Sequence, residues 1–134
     1  MQVKLSQIDE PLLAALGVEA ARLVLANDLT TLHQRFGYAL ALAREPVSAI
    51  AQDLAVALAE LSATSLSGPA PLRACVNNFS SNGTGLVSVV ECLLGTNNHK
   101  NVLLELAVTT TGSGFHVTLE QLSACQGGGN ENAA

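Results

Sequence analysis

The chain is short of the side chains on which most ligand chemistry depends. Its aromatic residues are Phe36, Tyr38, Phe79 and Phe115, with no tryptophan, so little is available to stack on bases, sugars or flavin rings. Lysine and arginine together number six against eleven aspartates and glutamates, for a net charge of −5. Nucleic acid binds where clustered cations neutralise phosphate, and no window supplies such a cluster, which argues against nucleic acid as a direct ligand. Charged residues of both signs reach only 13%, about half the usual share for a globular domain. Part of the surface must then be built from Ala, Ser, Thr, Asn and Gly, as an interface would be.

Cysteine is equally sparse. Cys75, Cys92 and Cys125 are odd in number and widely spaced, which excludes a disulfide framework and favours a reducing cytoplasm. The first residues carry one cation but no apolar run before Asp9-Glu10-Pro11, unlike a secretory signal. No stretch approaches the 18 or so uninterrupted apolar residues of a membrane span. Cytoplasmic placement without membrane contact is the expectation.

Catalytic and cofactor motifs are missing too. Cys75, Cys92, His99 and His116 can be arranged on paper as a metal or Cys–His set. No CxxC or HxxxH pair anchors it, however, and a strand cysteine is commonly a small buried hydrophobe. Gly83-Thr-Gly85 and Gly112-Ser-Gly114 link strand to strand rather than strand to helix, so they read as hairpin turns and not phosphate cradles. No GxSxG elbow is present. Catalytic residues, cofactors and metals are not expected.

What the chain does have is a change of hydrophobic period near its middle. From Asp9 to about Ser62 apolar residues recur every three or four positions, and from about Leu72 to Leu122 every second position. These are the periods of helix and of half-buried strand. The fold class expected is α+β: two or three N-terminal helices packed on one face of a C-terminal four-stranded antiparallel meander. Residues 1–125 form a single domain in this reading, with a helical part over about 9–62 and a sheet over about 72–122. The Gly-rich tail 126–134 has nothing to bury and is expected to be disordered.

Within the helical half, Asp9 is the expected first cap and Gly17 a weak point of roughly 1 kcal/mol where a break could fall. Asn27-Asp28 ends one helix and caps the next. The second helix carries Leu29, Leu32, Phe36, Leu40 and Ala43 on one face and stops at Arg44-Glu45-Pro46. Pro46 opens the third, whose stripe is Val47, Ile50, Leu54, Ala57 or Leu58, and Leu61. Strands are expected over about 72–79, 86–94, 102–110 and 115–122. The core should contain Leu32, Phe36, Leu40, Ile50, Leu54, Leu58, Val90, Leu104, Leu106, Val108, Val117 and Leu119.

Matching the apolar faces sets the register, since a slip of one residue would turn every side chain over. Cys92 falls opposite Leu104, Val90 opposite Leu106, Val108 opposite Val117, Leu106 opposite Leu119 and Ala74 opposite Cys92. The outer face then carries a row of Arg73, Glu91, Glu105 and Glu120. Like charges in register cost up to about 1 kcal/mol per pair. A solvated polar face, or a bulge that staggers the carboxylates, would avoid that cost; an acidic stripe that meets a cationic partner would use it.

The expected function follows from charge, size and missing motifs. It is a non-enzymatic, protein-binding module whose partner is basic, with Arg73, Glu91, Glu105 and Glu120 as the binding residues. An immunity protein that neutralises a basic toxin domain, such as a nuclease, by covering its active surface fits this profile best. A structural or homo-oligomeric subunit, dimerising through helices or a strand edge, is one alternative. A secretion chaperone is another, though the helices-then-strands order departs from its usual interleaving. An enzyme would need polar residues pointing between helices and sheet, and the stripes show almost none.

Overall fold

The computed structural model describes residues 2–4, 10–67, 72–79, 85–111 and 114–125. The Asp9 cap, residues 68–71 of the connection between helices and sheet, the loop residues 80–84 and 112–113, and the tail lie outside them. Helix α1 spans Glu10–Leu25, α2 Leu29–Phe36 and α3 Pro46–Glu60. Strands follow at β2 Ala74–Asn78, β3 Leu86–Gly95, β4 Asn101–Thr111 and β5 Gly114–Ala124. They form the antiparallel meander, with the helices on one face. An N-terminal strand, β1 (Gln2–Lys4), adds to β5, giving the sheet order β1-β5-β4-β3-β2. Three residues show too little alternation to announce a strand in the sequence.

Helix α1 runs unbroken through Gly17, and its packing explains why. A Cβ at Gly17 would stand 2.7 Å from Val90 Cγ1 and 2.9 Å from the Ala74 Cβ. The missing side chain lets α1 lie close against β2 and β3, so the glycine is there for approach rather than for a break. Asn27, in left-handed backbone geometry, closes α1, and Asp28 accepts a hydrogen bond from the Thr31 N–H at 3.2 Å to cap α2. At α3, Pro46 takes the first position. Glu45 caps it, accepting from the Val47 and Ser48 N–H groups at 2.9 Å each.

The second helix is shorter than its periodicity suggests. Gly37 takes φ +71°, which ends α2 at Phe36, and a single 3-10 turn at Ala39–Ala41 follows. This corrects the placement of Leu40 in the core: it is 42% exposed. The rest of the expected core holds. Leu32, Ile50, Val90, Leu104, Leu106, Val108, Val117 and Leu119 are fully buried, Phe36 nearly so, and Leu54 and Leu58 pack half-buried against them.

The turn between β3 and β4 ties the helical layer to the sheet. Asn98 Nδ2 donates to the Leu61 and Ser62 carbonyls at 2.9 and 3.1 Å, while Asn97 Oδ1 accepts from the Thr64 N–H at 3.1 Å. These bonds satisfy groups left over where α3 ends. Among the described residues no helix is long and apolar enough to cross a membrane.

Candidate partner-binding face

Because all three helices lie on one side, the other side of the sheet carries no covering layer among the described residues. Its central positions come from the outward-pointing residues of β2 to β5. Glu91 stands directly opposite Glu105, and the pairs Ala74–Cys92, Cys92–Leu104, Val90–Leu106, Leu106–Leu119 and Val108–Val117 all occur. The apolar faces thus impose the register, and two carboxylates meet as a consequence.

The row departs from expectation at both ends. Gln121, not Glu120, is opposite Glu105, because β5 holds an extra residue between its pairs with Glu105 and Leu106. Glu120 is that extra residue. The bulge has a sequence signature: Val117 and Leu119 point inward at a spacing of two, but the next buried leucine is Leu122, three residues on. Both leucines reach the core only if one residue between them is left unpaired. At the other end Cys75 is opposite Glu91. Arg73 precedes β2, one step beyond the Ala74–Cys92 pair, and so stands level with Leu93 rather than in the row. It remains near: Arg73, Cys75, Glu91, Leu93, Leu103 and Cys125 line one shallow recess of about 430 Å³.

Each paired carboxylate has a neutral partner. Asn77 Nδ2 donates to Glu91 Oε1 and Gln121 Nε2 donates to Glu105 Oε1, both at 3.1 Å. Neither amide was evident from the sequence, since their role depends on the cross-strand register and, for Gln121, on the bulge. Among the described residues the ion pairs are Arg35–Glu19 and Arg44–Asp53, both on the helical side. Among the described residues Glu91 and Glu105 are therefore hydrogen-bonded but in no ion pair, with Arg73 lining the same recess as Glu91. Burial raises the Glu105 carboxyl above its ordinary pKa, and the charges of Glu91 and Glu120 add to that, while the Gln121 hydrogen bond opposes it. Around the carboxylates the face is partly apolar: Leu93 is 47% exposed, Val89 and Leu103 are half-buried, and Ala107 is buried.

The cysteines and histidines are dispersed. Cys92 points into the core, where burial raises its thiol pKa, whereas Cys75 is exposed on the opposite face. His99 sits in the β3–β4 turn and His116 is half-buried opposite Thr109. No group of three metal-capable side chains gathers among the described residues.

A second surface feature, absent from the sequence reading, follows from the break at Gly37. The segment after it presents Leu40 and Leu42 beside Val56 of α3, all three exposed, along a cleft of about 380 Å³. Arg44 fixes the segment, donating to both Asp53 oxygens at 2.9 and 3.1 Å and to the Leu40 carbonyl at 2.6 Å. Tyr38 donates to Asp53 at 2.5 Å, and burial with this bond pushes its pKa up. Leu42 is 83% exposed and held at φ +56°, ψ −122°, a conformation that suits glycine. The sequence signal was Gly37 itself, a poor helix residue seven positions before a carboxylate-seeking arginine.

No protein-family model, curated protein or solved structure matches this chain.

Proposed function

We propose that the chain is a non-catalytic protein-binding module that docks a cationic protein surface on the open face of its sheet. The carrying observation is Glu91 opposite Glu105 on a partly apolar face that no described element covers, each carboxylate held by an amide and, among the described residues, neither by a cation. A paired carboxylate row lowers the stability of the free protein, and a partner's lysines or arginines would remove that cost on binding. Leu93, Leu103 and Val89 supply the apolar contact that such an interface also needs. A second copy does not fit this face, because stacking it on itself would bring two acidic rows together.

The partner class that best suits this surface is a basic domain whose own function is to hold phosphate, such as a nuclease toxin. The carboxylates would occupy its cationic site, as an immunity protein does. The compartment proposed is the cytoplasm, in keeping with three unpaired cysteines, one of them exposed.

The test is affinity capture from the source cell's lysate, comparing the native chain with the Glu91→Lys, Glu105→Lys double variant. A basic protein captured only by the native chain is expected. Its association rate should fall roughly tenfold or more on charge reversal and with added salt, as for steered encounters. A captured partner whose rate and affinity are indifferent to both would remove the acidic face from the interface.

A further inference from the structure

We infer that the free edge of β2 is a self-association surface, on which a second copy of this chain adds its own β2 antiparallel to form one continuous sheet. Among the described residues β2 is the last strand of the order, with β3 on one side only. Phe79 donates its backbone N–H to the Val87 carbonyl at 2.9 Å. By the alternation of an antiparallel ladder, Cys75, Asn77 and Phe79 therefore turn their backbone groups toward β3. Ala74, Val76 and Asn78 turn theirs outward, where no described element pairs with them.

Natural edges are usually guarded by lysine, proline, a bulge or an inward charge. Ala74–Asn78 has none of these and no charged residue, whereas β1 at the opposite edge ends on Lys4. The edge is also complementary to itself. An antiparallel pair about a two-fold axis at Val76 places Val76 opposite Val76 of the second copy and Ala74 opposite its Asn78. These are the residues whose backbone groups no described element pairs, so each pair can exchange both N–H···O bonds. On the outer face the same register sets Cys75 opposite Asn77 and Arg73 opposite Phe79. Phe79 is 45% exposed and Arg73 is exposed, so the guanidinium of one copy can cover the ring of the other.

The acidic rows do not oppose this arrangement. Glu91 of each copy lies one strand in from the joined edge, so the two are three strand spacings apart, roughly 14 Å. That exceeds the screening length of about 8 Å at physiological salt. Both open faces stay free for the cationic partner, so the inference stands independently of that docking. With only five residues in β2, the dimer should be weak and concentration-dependent.

The test measures solution mass by light scattering from micromolar to millimolar chain, together with two variants. Val76→Pro removes an outward N–H that the monomer's ladder does not use, and proline is tolerated on such an edge. The expected result is a mass that doubles with concentration for the native chain and stays monomeric for Val76→Pro, with an unchanged circular dichroism spectrum. Asn77→Cys tests the register whether or not the proline variant folds. Cys75 and the substituted position 77 of the second copy would form a pair without ladder bonds, with Cα atoms about 4.5 Å apart, within disulfide range. Mild oxidation should give a dimer cross-linked 75 to 77, and adding Cys75→Ser should abolish it. A monomer at all concentrations with no such cross-link overturns the inference, as does a dimer that a folded Val76→Pro leaves intact or one cross-linked in another register. An edge that takes only a foreign strand, with no self-pairing, likewise overturns it.

Discussion

Replacing Glu105 with glutamine should stabilise the free protein at neutral pH while weakening the docking proposed for its open face. Glu105 faces Glu91 across β3 and β4, where paired Cβ atoms are about 5 Å apart. At that separation on a half-wet surface the Coulomb repulsion is roughly 1 kcal/mol, reduced by salt. Glutamine keeps the shape and can still accept from Gln121, so the gain expected at low salt is about 0.5–1 kcal/mol. The pH dependence has a definite sign. Because the folded-state pKa of Glu105 is raised, between the ordinary glutamate value and that raised value the native chain holds a proton there that the unfolded chain has already lost. That contribution to stability is complete below the ordinary glutamate value and is lost as pH rises through the folded-state value. The variant lacks this loss, so its advantage should be present at pH 7 and vanish in acid. Urea unfolding followed by far-ultraviolet circular dichroism reads the effect as a midpoint shift of about 0.3–0.6 M. A variant less stable than the native chain at pH 7, or a gain equally large in acid and in high salt, would refute the reasoning.

Other substitutions test the packing that positions this face. Gly17→Ala should destabilise by about 1–2 kcal/mol despite alanine's better helix propensity, because its Cβ would collide with the buried Val90 and with Ala74; a higher melting temperature would contradict this. Leu42→Gly should stabilise by roughly 1 kcal/mol, since it relieves positive-φ strain at a side chain that packs little, and a loss in chemical denaturation would show that Leu42 is held by more than its backbone. Glu45→Ala should lower stability at neutral pH through loss of the α3 cap. The bonds from the Val47 and Ser48 N–H groups, backed by the Ser48 hydroxyl, hold the Glu45 carboxyl below its ordinary range. Its contribution is therefore present above the ordinary glutamate value and lost as pH falls through the lower folded-state value, so the two melting curves should converge in acid.

Much of this architecture could be read from hydrophobic period alone. The switch from a spacing of three or four to a spacing of two located the layers. The inward positions of β3, β4 and β5 then fixed their register, because burial on one face tolerates no slip. The legible part ends where the backbone leaves its regular period. Leu40 lies at helical spacing from Phe36, yet Gly37 takes φ +71° between them and turns it out to solvent. Periodicity counts positions and does not register a change of φ. The amide partners Asn77 and Gln121 were hidden for a related reason: they matter only after strands are paired.

The bulge at Glu120 shows how core and surface constrain one another here. With strict alternation from Val117, position 121 would point inward and Leu122 outward, leaving a polar amide against the core and a leucine in water. Burying Leu122 is worth roughly 1.5–3 kcal/mol, more than the roughly 0.5–1.5 kcal/mol of the one ladder bond that an unpaired residue forfeits. The core therefore dictates the extra residue, and with it the breaking of the acidic row. What results is a carboxylate pair rather than a triplet: Glu91 with Glu105, and Gln121 in the third place donating to Glu105. A third carboxylate in direct register would have added another like-charge pair. Glu120, displaced by the bulge, is half-buried and still acts on Glu105 through its charge. The geometry thus separates a carboxylate pair in direct register from a third carboxylate that the bulge sets out of register. Charge reversal at Glu91 and Glu105 should accordingly cost a cationic partner more than reversal at Glu120.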